Sequence, residues 1–229
     1  MQFLKLLVTN IKNLTNKLKS ERIKIMTLSG NKLAGGNPAH DRVDNDFYAT
    51  DPKAVEMLLN TGVFDWYYHP WIDILEPCVG QGHIIEAIKK YYSHKDLRPT
   101  TIDLVDRGYP DTIIIDFLTW KPDKLYDLII TNPPYSLAKE FVEKGMECLE
   151  EGGVMALFLK IQFLEGAKRK ELFDKYPPKY IYVFRNRMPT WNNGQPKDPT
   201  TGKKWATTMC HAWFVWEKGS TSEPIVRWL

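Results

Sequence analysis

The sequence predicts an α/β domain built on a doubly wound, mostly parallel sheet. From Asp46 onward, short and uniformly apolar runs such as "WIDILEP" alternate with amphipathic runs such as "HIIEAIKKYY". Strands that are apolar on both faces indicate a parallel sheet with helices packed on each side. Because ligands of such sheets bind at the carboxyl ends of the strands, we expect the functional residues at that edge.

The expected elements follow one another in a regular order. Asp51 and Pro52 begin the first helix, as its N-cap and its first helical residue. The strands expected after that helix are "WIDILEP", "TTIDLV", "TIIIDF", "LYDLIIT", "GVMALFL", "KYIYVF" and "CHAWFVWEK". The helices expected between them are "HIIEAIKKYY", "SLAKEFVEKGMECLE" and "LEGAKRKELFDKY".

The N-terminal part of the chain is predicted to be a separate extension. Residues 1–26 carry six Lys/Arg and one Glu, with leucines at helical spacing, which indicates a basic amphipathic helix. A Gly/Asn/Pro-containing linker follows, so residues 1–37 form the extension and residues 38–229 the domain. The helix either contacts a membrane or a partner, or is a loosely packed extension that the chemistry does not need.

Composition limits the kinds of protein that the chain can be. No run approaches the roughly 18 apolar residues of a membrane span, which argues against a membrane protein. The cysteines Cys78, Cys148 and Cys210 are far apart and lack metal-ligand spacing. We therefore expect buried thiols in a cytoplasmic protein, with neither a disulfide framework nor a metal site.

The first expected strand ends in a glycine-containing turn, "ILEPCVGQGHI". Gly80 and Gly82 allow positive φ angles and a close approach of the backbone to a ligand. The G-x-G-x-x-G pattern of dinucleotide enzymes is missing, and Glu76 and Pro77 precede the glycines instead. A carboxylate at this place would repel a pyrophosphate but could accept a hydrogen bond from an ammonium group. The turn thus favours a cationic ligand without phosphate, although an ordinary tight turn is an equal alternative.

Acidic residues also occur at the ends of the next two expected strands. Asp103 and Asp106 belong to the second, where such folds bind a ribose diol. Asp116 and Phe117 end the third, and could bond an adenine amino group and stack on its ring. Helix caps or solvated carboxylates are the alternative for each acid taken alone. Their occurrence at consecutive strand ends favours a ligand.

Together, "EPCVGQG" and "NPPY" make the chain resemble the S-adenosylmethionine-dependent amino methyltransferases. It is most similar to the N6-adenine DNA methyltransferases of the small phage and prophage type, which implies a bacterial or phage-infected host cell. The resemblance implies S-adenosylmethionine as the cofactor, contacted by Tyr48 and Thr50 of "DFYATDP", with Asp103 as the ribose acid and Asp106 as the alternative. Asp51 between Thr50 and Pro52 departs from the family pattern. The resemblance also implies a seven-stranded sheet whose last strand is antiparallel, in a C-terminal hairpin.

The segment "TNPPYS" contains the expected catalytic residues Asn132, Pro133, Pro134 and Tyr135. The exocyclic amine of a base is a poor nucleophile, since its lone pair is delocalised into the ring. Asn132 Oδ1 and the Pro133 carbonyl can each accept one N–H of that amine and direct the lone pair towards a methyl donor. Tyr135 would stack on the target base, flipped out of double-stranded DNA. The alternative is a strand-ending turn with a packing tyrosine.

Residues 183–209 form the expected nucleic-acid recognition loop. They lie in a basic block, residues 160–204, that holds eleven Lys/Arg and four Asp/Glu. The candidate contacts to nucleic acid are Arg185, Arg187, Trp191, Lys203 and Lys204, with Lys168 and Arg169 earlier in the block. A long hairpin with packed tryptophans is the alternative. So short a loop predicts a short or loosely read target, aided by a homodimer.

Other substrates and one other class of protein stay open from the sequence. Motifs close to "NPPY" also occur in methyltransferases that act on RNA bases or on a glutamine amide of a protein. A cofactor-binding subunit without catalysis is the alternative from a different class. The complete Asn132–Tyr135 motif argues against it, because such a subunit has no need of those residues.

Overall fold

The structure is a computed structural model that describes residues 47–64 and 70–229. The predicted basic helix and linker, with the boundary at residue 38, lie outside these residues and stay predictions. The described helices are α1 (Pro52–Leu59), α2 (His83–Tyr91), α3 (Ala138–Cys148) and α4 (Lys170–Lys175). The described strands are β1 (Tyr48–Thr50), β2 (Trp71–Glu76), β3 (Asp96–Asp103), β4 (Ile113–Ile114), β5 (Tyr126–Thr131), β6 (Leu149–Lys160), β7 (Tyr180–Val183), β8 (Thr190–Asn192), β9 (His211–Glu217) and β10 (Ile225–Trp228).

Eight of the described strands form one sheet, in the order β10-β7-β9-β6-β5-β2-β3-β4. All of its pairings are parallel except those of β9, which runs antiparallel to both β6 and β7. The doubly wound fold class, the seven expected strands and the antiparallel C-terminal hairpin are therefore confirmed. The sheet has an additional edge strand, β10, which the sequence did not predict.

Two apolar clusters cover the two faces of the sheet. Successive residues of β2 alternate between them, since Ile74 belongs to one cluster and Leu75 to the other. Helices α1 and α2 contribute to the first cluster, and α3 and α4 to the second. Trp213 and Trp216 of β9 are fully buried on opposite faces, and their indole N–H groups donate to the carbonyls of Ala54 and Tyr176. This two-sided core fixes the carboxyl edge of the sheet as one rigid platform.

The expected strand "TIIIDF" is much shorter than predicted. Only Ile113 and Ile114 remain in β4, where they pair with Ile102 and Asp103 of β3. β4 is the outermost strand, and its two side chains are 41% and 49% exposed. Apolar composition alone suggested a longer strand, but an edge strand has a neighbour on one side only and little apolar surface to bury.

A small second sheet lies outside the main one. β1 pairs antiparallel with β8, so that Tyr48, Ala49 and Thr50 face Asn192, Trp191 and Thr190. Three-residue strands leave no periodic pattern in a sequence, which is why this pairing was not predicted. The pairing joins the "DFYATDP" segment to the expected recognition loop.

Candidate functional site

The candidate site lies at the carboxyl edge of the sheet, where four segments meet. The glycine turn follows β2, Asp103 ends β3, and the "NPPY" turn follows β5. The small β1–β8 sheet contributes the fourth segment, because the Tyr48 carbonyl of β1 accepts a hydrogen bond from Asn132. The fold therefore brings together the glycine motif, the "NPPY" motif and the opening motif.

The glycine turn needs glycine at both expected positions. Gly80 and Gly82 have φ angles of 56° and 83°, in the left-handed region that side chains disfavour. A Cβ atom at Gly80 would lie 2.2 Å from Cε2 of Phe47, and one at Gly82 would lie 2.1 Å from Cε2 of Tyr109. Aromatic rings thus approach the turn as closely as a glycine backbone permits.

Asp103 is buried and holds the glycine turn in place. Its Oδ2 accepts a hydrogen bond of 2.8 Å from Gly80 N, and its Oδ1 accepts one of 3.0 Å from Val105 N. Asp106, the alternative ribose acid, is exposed, and its Oδ1 accepts from Gly108 N. Of the two carboxylates, only that of Asp103 contacts the glycine turn, although both of its oxygens already accept bonds from backbone groups.

Asp116 and Phe117 occupy different environments. Asp116 is exposed, and its Oδ1 accepts a hydrogen bond from Leu118 N. Phe117 is 3% exposed and packs against Phe141, with the ring centroids 5.1 Å apart. Phe117 thus belongs to the core beneath the edge, and its expected contact with an adenine ring stays a prediction.

Glu76 is a buried carboxyl at the base of the glycine turn. It is 1% exposed, and its Oε2 accepts a hydrogen bond of 3.1 Å from Ile85 N, while Pro77 beside it is also buried. Burial raises the pKa of Glu76 well above the usual range of a carboxyl. The Ile85 N–H opposes this rise, and the nearby charges of Asp103 and Glu86 add to it. A cation bound at this place would favour the ionised form.

The amide of Asn132 is oriented by a backbone carbonyl. Its Nδ2 donates a hydrogen bond of 2.9 Å to the carbonyl oxygen of Tyr48. Only the NH₂ group can donate to a carbonyl, so this contact distinguishes the two ends of the amide and leaves Oδ1 as an acceptor. Within residues 47–64 and 70–229, no group donates to the Pro133 carbonyl, while the Pro134 carbonyl accepts from Leu137 N.

Tyr135 begins a short 3₁₀ helix and has two neighbours that the sequence did not reveal. Lys160 Nζ lies 4.9 Å from the centroid of its ring, and the ring of His211 lies 5.9 Å away. Burial raises the pKa of the Tyr135 hydroxyl above its usual range, with a smaller contribution from Tyr48. Lys160 and His211 are register partners on β6 and β9, so only the strand pairing could have revealed them.

The expected recognition loop is anchored at its start and exposed at its tip. Trp191 lies in β8, 5.4 Å from the ring of His83, and Asn193 N donates to the Phe47 carbonyl. Beyond β8, Lys197 and Lys204 form an isolated β-bridge, and Trp205 Nε1 donates to the Gln195 carbonyl. Five of the remaining candidates are exposed, namely Arg185, Arg187, Lys168, Lys203 and Lys204. Arg169 is half-buried, and its guanidinium group donates to the carbonyls of Gln162 and Glu165.

Four buried side-chain polar atoms in the described part of the chain lack a hydrogen-bond partner. They are Thr50 Oγ1, His83 Nδ1, Thr131 Oγ1 and the hydroxyl of Tyr135. The Cys78 thiol beside Thr131 is only a weak hydrogen-bonding group. All four atoms belong to the segments that form the candidate site, namely β1, the start of α2, the end of β5 and the "NPPY" turn. Since buried polar atoms are normally bonded, this clustering fits a polar ligand such as an amino-acid-containing nucleoside.

Comparisons with known proteins agree with this geometry. No protein-family model matches the chain. The type II methyltransferase M.CvrRI of Paramecium bursaria Chlorella virus XZ-6E is 39% identical over 69 residues, which cover 28% of this chain and 18% of that protein. The type II methyltransferase M.TthHB8I of Thermus thermophilus is 27% identical over 84 residues, which cover 34% of this chain and 19% of that protein. The matched segments thus span less than a fifth of either relative.

Solved structures show the same fold. A protein from Listeria monocytogenes described as a class I S-adenosylmethionine-dependent methyltransferase superposes with a TM-score of 0.58 and 14% identity, over 90% of this chain and 71% of that chain. The type I restriction-modification methyltransferase subunit of Streptococcus thermophilus superposes with a TM-score of 0.58 and 16% identity, over 81% of this chain and 48% of that chain. The fold is that of class I methyltransferases. The resemblance to S-adenosylmethionine-dependent DNA methyltransferases is confirmed, and the comparisons support S-adenosylmethionine as the cofactor.

Proposed function

We propose that this protein transfers a methyl group from S-adenosylmethionine to the exocyclic N6 amine of adenine in DNA. The observation that carries the proposal is the orientation of Asn132. Its Nδ2 is bonded to the Tyr48 carbonyl, which leaves Oδ1 as an acceptor next to the Pro133 carbonyl. Two acceptors on adjacent residues match the two N–H groups of an exocyclic amine.

The chain's own residues perform the positioning that this reaction needs. The cofactor supplies an activated methyl group on a sulfonium centre. Asn132 Oδ1 and the Pro133 carbonyl accept the two N–H groups, so that the amine becomes more pyramidal and its lone pair is directed at the methyl group. The N–C bond would form as the S–C bond breaks, and the methylated nitrogen would then lose one proton to water, so that the transfer itself requires orientation and not a general base.

Tyr135 receives the flipped base. Tyr135 is the second residue after the Pro133 acceptor, and the contribution of its ring is the stacking energy of about 1–3 kcal/mol per base. That energy is comparable to the cost of unstacking the base from a duplex. The aromatic ring and the paired acceptors therefore act on the same planar group.

The glycine turn and its neighbours hold the cofactor. Gly80 and Gly82 form the turn at positive φ angles, and Glu76 accepts a hydrogen bond from the cofactor's ammonium group. Thr50 and His83 provide buried polar atoms that have no hydrogen-bond partner among the residues that the structure describes. Tyr48 contacts the methionine part beside Thr50, Asp103 binds the ribose, and Asp116 with Phe117 lies on the adenine side.

Two features support DNA as the substrate. Relatives over part of the chain are named type II methyltransferases, and a protein of the same fold is a subunit of a restriction-modification system. The exposed arginines and lysines of residues 183–209, which suit phosphate contacts, lie on the segment joined to the site through β8. RNA and a protein glutamine amide are the other acceptors to test.

The test measures transfer of a radiolabelled methyl group to DNA, RNA and protein, followed by digestion of the product and detection of N6-methyladenine. We expect label in DNA. Asn132→Ala should lower transfer by at least about 100-fold, since a polar contact to the reacting group is lost. Calorimetry should show that cofactor affinity is largely retained.

The matched control is Asn60→Ala, which removes an exposed amide at the end of α1 and should leave transfer unchanged. Persistent transfer by Asn132→Ala would refute the acceptor role. Label in RNA or protein alone would show that this molecule, and not DNA, is the substrate. Cofactor binding without any transfer would indicate a non-catalytic subunit.

A further inference from the structure

We propose that the protein forms a symmetric dimer in which the edge strand β10 pairs with β10 of a second copy. In this dimer, Trp228 of each copy lies in a groove of the other copy. The inference goes beyond the proposed function, because it concerns a different surface. Three strands separate β10 from β5, the strand that the "NPPY" turn follows.

The outer edge of β10 has unpaired backbone groups. In the described part of the chain, β7 is its only neighbour in the sheet. Ile225 N donates to the Lys179 carbonyl, so the odd-numbered residues of β10 bond to β7. Because alternate residues of a strand face opposite edges, the N–H and C=O groups of Val226 and Trp228 point away from β7. Such an edge is a template for a further strand.

The side chains of β10 are exposed as well. All four of its residues are exposed, and Val226 and Trp228 reach 44% and 63%. Their register partners in β7 are Ile181 and Val183, which belong to the second apolar cluster or pack against it. Val226 and Trp228 therefore project on the face of the sheet that this cluster covers. An apolar surface of this kind, next to an open backbone edge, marks an interaction site.

An open groove lies on the same face, beside the start of β10. We call it the edge groove; it has a volume of about 470 Å³, and its lining includes Leu164, Phe173 and Pro224. Phe173 packs against the second apolar cluster, and Leu164 is 45% exposed. The apolar walls of the edge groove suit the apolar body of an indole ring. Trp228 of the same copy lies at the other end of β10, so its indole has to enter the groove of another copy.

The hydrogen-bonding pattern of β10 selects one register for the pairing. With a twofold axis at Val226, the two Val226 residues exchange backbone hydrogen bonds, and Trp228 N donates to the Pro224 carbonyl of the second copy. Trp228 then lies over Pro224, at the edge groove. An axis at Arg227 would instead place two like charges opposite each other, which is unfavourable.

Charge complementarity supports the same register. Arg227 faces Ile225 of the second copy, and the exposed Glu223 lies diagonally opposite Arg227, within reach of its long side chain. Within residues 47–64 and 70–229, neither Arg227 nor Glu223 forms an ion pair. A twofold interface needs one surface that is complementary to itself. The indole and the groove belong to one chain, so the occupant is a second copy.

The experiment measures the dissociation constant of the dimer. Sedimentation equilibrium without DNA, from about 0.1 to 100 μM protein, should show a monomer and a dimer in exchange. Trp228→Ala should weaken the dimer by at least about 30-fold, because two buried indoles are lost. The matched control is Trp71→Ala, which removes a 41% exposed indole of β2 and should leave the constant unchanged.

A second pair of variants tests the register. Val226→Asp places two carboxylates opposite each other at the axis and should weaken the dimer by at least about tenfold. Ile225→Asp places a carboxylate opposite Arg227 and should change the constant by less than about threefold. Circular dichroism checks that each variant is folded. Equal constants for the two variants would overturn the pairing of β10 with β10.

Mixing two variants tests the contact between the indole and the groove. Leu164→Arg places a charged side chain in the edge groove and should weaken the dimer as Trp228→Ala does. A mixed dimer of the two variants retains one intact indole in one intact groove. An equal mixture should therefore associate at least about fivefold more tightly than either variant alone.

The remaining outcomes are equally decisive. A wild-type protein that stays monomeric at about 100 μM would overturn the dimer, as would wild-type constants for Trp228→Ala or no gain on mixing. The carboxyl edges of the two sheets point in opposite directions in this dimer, since the two β10 strands are antiparallel. Each candidate site is therefore complete in one copy, and Trp228→Ala should retain the wild-type methyl transfer per copy.

Discussion

At the scale of single residues, the polar side chains of the site are held by the backbone. The Tyr48 carbonyl orients the Asn132 amide, and the Gly80 and Val105 N–H groups bind the Asp103 carboxylate. A hydrogen bond to a backbone group costs little conformational entropy when the surrounding segment is already rigid. The reacting groups therefore need little reorganisation when a substrate arrives, which is the property that positioning requires.

Glu76 predicts a pH dependence of cofactor binding. The pKa of its carboxyl is raised by burial, so at pH values below that raised pKa the protein without cofactor binds a proton there that an ammonium group would expel. Binding should then release a proton, and affinity should rise with pH until the pH exceeds that raised pKa. The rise is at most about tenfold per pH unit, or 1.4 kcal/mol.

Calorimetry between about pH 5.5 and pH 7, below the range in which an α-amino group titrates, can measure this effect. Two buffers of different ionisation enthalpy report the released proton. Glu76→Gln should weaken binding and remove the dependence on pH, because its side chain cannot ionise. A binding enthalpy that is the same in both buffers would contradict the assignment of the ammonium contact to Glu76.

At the scale of elements, the β1–β8 sheet connects the two halves of the site. β1 supplies the Tyr48 carbonyl that orients Asn132, and β8 carries Trp191, whose ring meets His83 at the start of α2. The same strand begins the exposed part of the recognition loop. The paired strands β1 and β8 therefore link the tip of the loop to the "NPPY" turn and to the glycine turn.

This arrangement predicts that the tip and the base of the loop have separable effects. Replacing residues 196–204 by two glycines joins Gln195 to Trp205, which are already in contact. The change should lower DNA affinity by at least about tenfold, as three lysines are lost. Cofactor affinity should stay within about twofold, because β8 remains.

Trp191→Ala is the complementary variant. It removes the aromatic contact to His83 and should weaken cofactor binding by about two- to tenfold. Calorimetry for the cofactor and anisotropy for DNA measure both variants. Equal losses of cofactor affinity in the two variants would contradict the division of the loop into an anchored base and an exposed tip.

At the scale of the whole molecule, recognition through residues 183–209 predicts a short or loosely read target. A segment of this length presents few side chains to base edges, whereas its lysines and arginines contact phosphates without reading sequence. Mapping N6-methyladenine by sequencing DNA treated with the protein tests this prediction. A long and strictly read site would show that other residues, or a partner, supply the specificity.

None of the helices in the described residues is long and apolar enough to cross a membrane. The described fold is organised around the sheet, whose two faces are covered by helices. Dimerisation and the role of the basic N-terminal segment stay predictions.

The sequence by itself determined the fold class and the order of the motifs. Apolar runs separated by helical patterns leave few topologies other than a doubly wound sheet, and the glycines and prolines mark turns that few other residues can form. For the same reason, Gly80, Gly82 and the "NPPY" residues could be selected without coordinates. Their chemistry depends on local backbone geometry, which neighbouring residues largely dictate.

Only the tertiary structure decided which distant residues share the site. The β1–β8 pairing, the Tyr48 contact to Asn132 and the place of Lys160 and His211 beside Tyr135 join residues far apart in the chain. It also placed Phe117 in the core and shortened the strand before it. Strand register and edge position depend on the packing of the whole sheet, and no local pattern encodes either of them.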